Sequence, residues 1–221
     1  MLRQSYSKHI KDLEQEVTQM GEMVISAINR AVEALKILDA AEAKRIIAED
    51  VLINKKRWEL EEKCVDLIAT QQPVASDLRE MIAVLSISTD LERMGDYAEG
   101  ISKIVLLHGN EPLVRPLVDI PQMAEIGLSM LRRSLEAFVN RDAKAAEAIC
   151  TEDDKVDLLY EQVYRVLVSC MIENPRTITR ATYLIWTAHN LERIADRVTN
   201  ICERVVYLVT GAVPEVNVSR Y

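Results

Sequence analysis

Helix breakers are scarce in this sequence. Glycine and proline number six each in 221 residues, aromatic residues reach only 5%, and Phe138 is the one phenylalanine. Long stretches of Ala, Leu, Ile, Glu and Arg run without interruption. That composition points to an all-α protein. No stretch approaches the length of apolar chain needed to span a bilayer, so no membrane span is expected. No apolar segment follows Met1-Leu2-Arg3-Gln4-Ser5, so no signal peptide is expected either. None of the four cysteines, Cys64, Cys150, Cys170 and Cys202, forms a CxxC pair. Each has apolar neighbours in a helical context, where a free cysteine acts as a small hydrophobe. A reducing compartment follows, and the expected location is cytoplasmic.

A long basic run is also missing. Lysine and arginine occur singly or in short groups such as Lys55-Lys56-Arg57 and Arg132-Arg133, which read as solvated helix faces. The net charge of −8 repels phosphate backbones, so direct binding to nucleic acid is not expected. What is present suits a folded soluble chain. Hydrophobic residues make up 49% and charged residues 28%, and the length buries a core without disulfides or structural zinc.

The chain repeats itself. Asp90-Leu91-Glu92-Arg93-Met94-Gly95-Asp96 returns a hundred residues later as Asn190-Leu191-Glu192-Arg193-Ile194-Ala195-Asp196. Upstream the offset is slightly larger. Met20 matches Met123, Glu22 matches Glu125, Arg30 matches Arg133, Asp39 matches Asp142, and Glu49-Asp50 matches Glu152-Asp153. An ordered series of this kind marks an internal repeat. Between the copies, residues 109–121 hold Gly109 and three prolines and read as a linker. The expected domains are residues 1–108 and 122–221.

Each copy reads as three helices. In the first they run from Lys8 to Leu38, from an Asp39 N-cap to about Gln71, and from Val74 after Pro73 to Leu107. In the second they run from Met123 to Asn140, from an Asp142 cap to about Glu173, and from Pro175 to near Gly211. Short turns between antiparallel helices imply two tandem three-helix bundles.

Within this frame the acids recur at helical spacing. Glu92 and Asp96 lie four residues apart, as do Glu192 and Asp196, on the shoulder of a core stripe. Leu91, Met94, Ala98 and Ile101 mark that stripe, with Leu191, Ile194, Ala195, Val198 and Ile201 in the second copy. Asp153 and Asp157 repeat the spacing on the middle helix beside Glu152. Their counterparts are Asp50, Asn54 and Glu49. Like charges one turn apart repel, so they must take up protons, recruit a basic partner or bind a cation. Arg93 and Arg193 are poorly placed at i+1, because that position points about 100° around the helix. An all-oxygen ligand set suits magnesium, calcium, manganese or iron. His189 adds a nitrogen in the second copy alone, either as a ligand or as a structural residue. Ordinary solvated surface acids remain the competing reading.

The run Gln71-Gln72-Pro73-Val74-Ala75-Ser76-Asp77-Leu78-Arg79, followed by Asp90 to Asp96, resembles the PhoU family, accessory proteins of bacterial phosphate uptake. Asn190 to Asp196 is similar to that family's second repeat. The resemblance covers nearly the whole chain. It implies two three-helix bundles, metal clusters on repeated E(D)xxxD motifs, and frequently a homodimer. It also implies a role between a phosphate ABC transporter and the sensor histidine kinase that controls phosphate-starvation genes. Carried onto this sequence, the metal residues are Asp50, Asn54, Glu92 and Asp96, then Asp153, Asp157, Glu192 and Asp196. The implied cofactor is an oxygen-ligated metal: iron, manganese, magnesium or zinc. Asn54 replaces an expected acid, and Gly100 stands where the second copy has Asn200.

A di-iron carboxylate oxidase needs Glu-x-x-His on facing helices. Here Gly95 follows Glu92 and Ala195 follows Glu192 at that spacing, while His189-x-x-Glu192 has the order reversed. No nucleophile–base pair or glycine-rich phosphate loop is evident. The sequence therefore reads as a non-catalytic regulator, with a di-iron carboxylate oxidase-like enzyme and a metal-free helical scaffold as the alternatives.

Overall fold

The computed structural model describes residues 2–109 and 111–212, with side chains from residue 8 onward. Among these residues every regular element is a helix. The first bundle comprises α1 (Leu2–Ile37), α2 (Ala40–Gln71) and α3 (Ser76–His108). The second comprises α4 (Asp119–Asn140), α5 (Ala143–Cys150), α6 (Asp153–Glu173) and α7 (Ile178–Thr210), with a 3-10 turn at Pro175–Thr177 before α7. No described helix is long and apolar enough to cross a membrane.

The corners are built alike in both halves. Leu38 and Arg141 both adopt φ near 55°. Asp39 then donates its N–H to the Ala34 carbonyl at 2.8 Å, and Asp142 to the Ala137 carbonyl at 2.9 Å. This six-to-one closure uses up carbonyls that the helix end would leave bare. The same aspartates cap the next helix. Asp39 Oδ1 accepts from the N–H groups of Ala41 (2.9 Å) and Glu42 (3.0 Å), and Asp142 Oδ1 from that of Ala145 (2.9 Å).

Two boundaries differ from the sequence reading. Helix α4 begins at Asp119, so Pro121 lies in its first turn and not in a linker. A proline there gives up no intrahelical hydrogen bond, and its fixed φ suits the helix. The middle helix of the second repeat is broken at Thr151 and Glu152 into α5 and α6. The Thr151 hydroxyl bonds back to the Ala148 carbonyl at 2.8 Å, and Glu152 N–H to the Ile149 carbonyl at 3.0 Å. That local closure competes with helix propagation. Asp153 and Asp154 then form the first turn of α6, where the helix dipole favours acids.

The bundles join through α3 and α7, which run antiparallel against each other. Asn200 Nδ2 donates to Asp90 Oδ1 at 3.2 Å. A Cβ on Gly100 would lie 3.1 Å from Asn190 Nδ2. Asp90 with Asn190, and Gly100 with Asn200, are repeat-equivalent pairs, so these contacts are related by a pseudo-twofold axis. Arg197 also reaches Asp90 Oδ1 at 3.3 Å. Helix α1 packs on α4 so closely that a Cβ on Gly21 would sit 2.2 Å from Leu135 Cδ1. Arg141, in the α4–α5 corner, bonds Glu14 of α1 and, at 2.8 Å, Glu80 of α3. The predicted stripes of both α3 and α7 are buried, and one continuous apolar core runs through both bundles.

This continuity sets an expected outcome. Met94→Ala in the first bundle and Ile194→Ala in the second each remove a fully packed side chain and cost about 2–4 kcal/mol. Both are expected to shift the same single unfolding transition in calorimetry. A variant that melts one bundle while leaving the other folded would show that the bundles are independent units.

Candidate metal centre

In the second repeat α6 lies along α7, and two pairs of acids come together across that seam. Asp153 and Asp157 are one turn apart on α6, Glu192 and Asp196 one turn apart on α7. Asp153 is only 9% exposed, and its Oδ1 has no hydrogen-bond partner. Burial, followed by repulsion from Asp157, Asp196 and Glu192, pushes its carboxyl up to about 7. Burial and then Asp196 push Glu192 up to about 7, against the opposing charge of Arg193. Asp157 and Asp196 are raised as well, chiefly by burial.

The first repeat gathers the corresponding residues in a milder form. Burial raises the Asp50 carboxyl, followed by the charges of Asp96 and Glu99. Asn54 relieves part of that by donating Nδ2 to Asp50 Oδ2 at 2.7 Å. Where the second copy adds a fourth carboxylate at Asp157, the first has an amide. Asp50 Oδ1 and Asn54 Oδ1 are both buried without hydrogen-bond partners.

Arg93 and Arg193 reach the acids of their own motifs in spite of the i+1 position. Arg193 Nε lies 2.9 Å from Glu192 Oε2, and its Nη1 lies 2.9 Å from Asp196 Oδ2. Arg93 stands 3.6 Å from Glu92 and 3.3 Å from Asp96. The three-methylene stem lets the guanidinium swing back over its own turn, and Asp96 and Asp196 lie at the favourable i+3 spacing. Each motif therefore carries its own cation. Among the described residues no group of three or more His, Cys, Asp or Glu is assembled to hold a metal ion. The donor chemistry nevertheless fits one: the second cluster is all oxygen, and it includes a buried acceptor with nothing bonded to it. His189 stands at the edge. It is half-exposed, its Nδ1 is 3.5 Å from Glu192 Oε2, and its ring lies against Tyr160.

Several partnerships escaped the sequence reading. Glu99 faces Asp50. Arg133 does not lie on a solvated face but grips Glu152 with two hydrogen bonds of 2.7 and 2.9 Å. Its repeat equivalent Arg30 holds Glu49 at 2.5 Å and Glu42 at 2.6 Å. Lys56 is likewise drawn in, 3.2 Å from Glu16. The signal was available, because Arg30 and Glu49 recur together as Arg133 and Glu152.

The chain matches the model of the PhoU domain twice, over residues 17–105 and 120–205. The chain belongs to the PhoU family. A phosphate-specific transport system accessory protein PhoU homolog from Clostridium acetobutylicum is 36% identical over 98% of this chain and 100% of its own length. One from Rhizobium meliloti is 34% identical over 96% of this chain and 90% of its own. The crystal structure of PhoU from Streptococcus pneumoniae superposes with a TM-score of 0.89 at 34% identity, covering 95% of this chain and 99% of that one. PhoU from Pseudomonas aeruginosa also gives 0.89, covering 94% and 100%. The two domain matches of the PhoU family coincide with the two bundles, each ending within α3 or α7.

The raised carboxyls set a pH dependence. Unfolded, Asp153 and Glu192 ionise in the ordinary range near 4. Folded, they hold protons to about 7. Between those values the folded state binds more protons than the unfolded one. Their contribution is therefore most favourable on the acid side and is lost as pH rises through about 7. Denaturant unfolding in the presence of a chelator is expected to show Asp153→Asn gaining on the parent protein between about pH 5 and pH 8, by on the order of 2 kcal/mol. A parent-to-variant difference that stays flat with pH would mean that the acids are freely solvated.

Proposed function

We propose that this PhoU-family chain is a non-catalytic accessory and regulatory protein of a phosphate transport system. The observation that carries this reading is the paired PhoU-domain match spanning both bundles. The relatives' names describe accessory proteins of phosphate-specific transport. In this reading the protein acts in the cytoplasm, as a homodimer, against the cytoplasmic side of a phosphate ABC transporter. It also contacts a sensor histidine kinase and holds it in an inhibitory state while phosphate is plentiful. Long helices with exposed apolar side chains, among them Val51, Trp58 and Val65 on α2, support recognition through protein surfaces. The net charge of −8 supports regulation by protein contact over direct contact with an operator.

The proposal includes an oxygen-ligated metal ion (iron, manganese, magnesium or zinc) in the second repeat, held by Asp153, Asp157, Glu192 and Asp196. Bound there, it would neutralise crowded carboxylates and tie α6 to α7. Arg193 would give up its bonds to Glu192 and Asp196 to the ion. The first-repeat set of Asp50, Asn54, Glu92 and Asp96 is the weaker, since Asn54 contributes one charge fewer.

Elemental analysis of protein purified without a metal-affinity tag is expected to find a divalent or trivalent metal. Glu192→Ala with Asp196→Ala is expected to lower the content more than Glu92→Ala with Asp96→Ala. Equal content in parent and both double variants would sink the metal assignment.

Deletion of the gene is expected to switch on phosphate-starvation genes in rich phosphate. Unchanged expression, with no association of the purified protein with transporter or kinase, would overturn the regulatory reading.

A further inference from the structure

Helix α2 packs inward on α1 and α3, and its outer face carries a stripe that no described residue covers. Val51, Lys55, Trp58, Glu62 and Val65 follow one another there at alternating steps of four and three residues. That step keeps a stripe straight along a helix and is the spacing by which one helix faces another. All five side chains are exposed, and Val51, Trp58 and Val65 each keep more than half of their surface in water. The Arg57 guanidinium lies 4.3 Å over the Trp58 ring and is held by Glu61 at 2.9 Å. The indole is therefore braced from one side while most of it stays exposed.

The second repeat shows that the fold does not require this stripe. Ile53, Leu60 and Cys64 on the inner side of α2 correspond to Val156, Val163 and Leu167 on α6, and all six are buried. On the outer side the correspondence ends. Val51 and Trp58 stand where α6 has the exposed acids Asp154 and Glu161. A solvated helix face carries charges at such positions, whereas large apolar side chains in a row mark a contact with another protein.

The charges within the stripe select the partner. Val51 lies seven residues before Trp58 and Val65 seven after it, while Lys55 lies three before and Glu62 four after. The stripe is thus its own match when turned end for end. Two copies of α2 laid antiparallel bring Trp58 near Trp58, Val51 near Val65, and Lys55 near Glu62 on both sides of the axis. A parallel pair would instead set Lys55 against Lys55 and Glu62 against Glu62, which is repulsive. Both charges are available. Glu62 makes no ion pair among the described residues, and Lys55 reaches Glu59 only at 3.7 Å. We propose that the outer face of α2 is a dimer interface, which pairs antiparallel with the same face of a second copy of the chain about a twofold axis near Trp58. This rests on the homodimer of the functional reading above and gives it a surface; control of phosphate-starvation genes is read out in cells and stands or falls separately.

The test uses the full chain with chelator present, so that no metal ion bridges two copies. Analytical ultracentrifugation is expected to show a dimer for the parent protein. Trp58→Glu, which puts the acid of the second repeat in place of the indole, is expected to weaken dimerisation by about tenfold or more. Lys55→Glu and Glu62→Lys each set like charges together twice across the axis, and each is expected to weaken it by about tenfold or more. An equimolar mixture of these two variants sets opposite charges together twice. It is expected to dimerise at least about tenfold more tightly than either variant alone, an outcome that only antiparallel pairing of the two faces produces. Circular dichroism checks the fold of each variant. A parent chain that stays monomeric at about 100 μM would overturn both the interface and the homodimer. A parent dimer indifferent to all three substitutions, or a mixture no tighter than its components, would overturn the interface and leave the homodimer standing.

Discussion

The antiparallel contact of α3 with α7 constrains everything else in this molecule. Each helix must present an apolar stripe to its own bundle and a second surface to the other repeat. Residues left for chemistry are therefore confined to the shoulders. Glu92, Asp96, Glu192 and Asp196 lie on those shoulders, where α2 and α6 half-cover them. The small Gly100 facing Asn190, and the buried Asp90 held by Arg197 and Asn200, show how tightly the seam is closed. Polar groups are admitted to it only with partners, as buried polar groups require.

The acids on the shoulders exist in balance with arginines of their own motif. A guanidinium that spans Glu192 and Asp196 at 2.9 Å compensates like charges that would repel one turn apart. A proton can take the same role, as the raised carboxyls of Asp153 and Glu192 show. Which one prevails depends on pH and on whatever draws Arg193 away. That competition makes a helix shoulder responsive to its surroundings without any catalytic group.

Much of this was legible in the sequence because a duplicated fold writes its pattern twice. The repeated Leu-Glu-Arg and trailing Asp placed α3 and α7, and Asp39 with Asp142 located matching corners. The break at Thr151 was not legible, since a single threonine back-bond competes with a helix-favouring context. Nor was the start of α4, because Pro121 reads as a breaker until its place in the first turn is known. The paired acids of the candidate centre could be read from i, i+4 spacing. The swing of Arg93 and Arg193 could not, because spacing fixes where a Cβ points and says little about a long flexible stem.

The α3–α7 seam also has a consequence for biosynthesis. Emerging from the ribosome, the first bundle is complete once α3 ends at His108, yet the surface that α7 covers is still bare. Helix α7 begins only at Ile178 and ends at Thr210, about a hundred residues after its partner. At ordinary rates of synthesis that interval is roughly 5–20 s, long compared with the folding of a small helical bundle. For that time the nascent protein displays half of a symmetric interface, and its own second half is the surface best matched to it. A second copy of the chain offers the same surface, so crowded polysomes favour exchange of halves between neighbours.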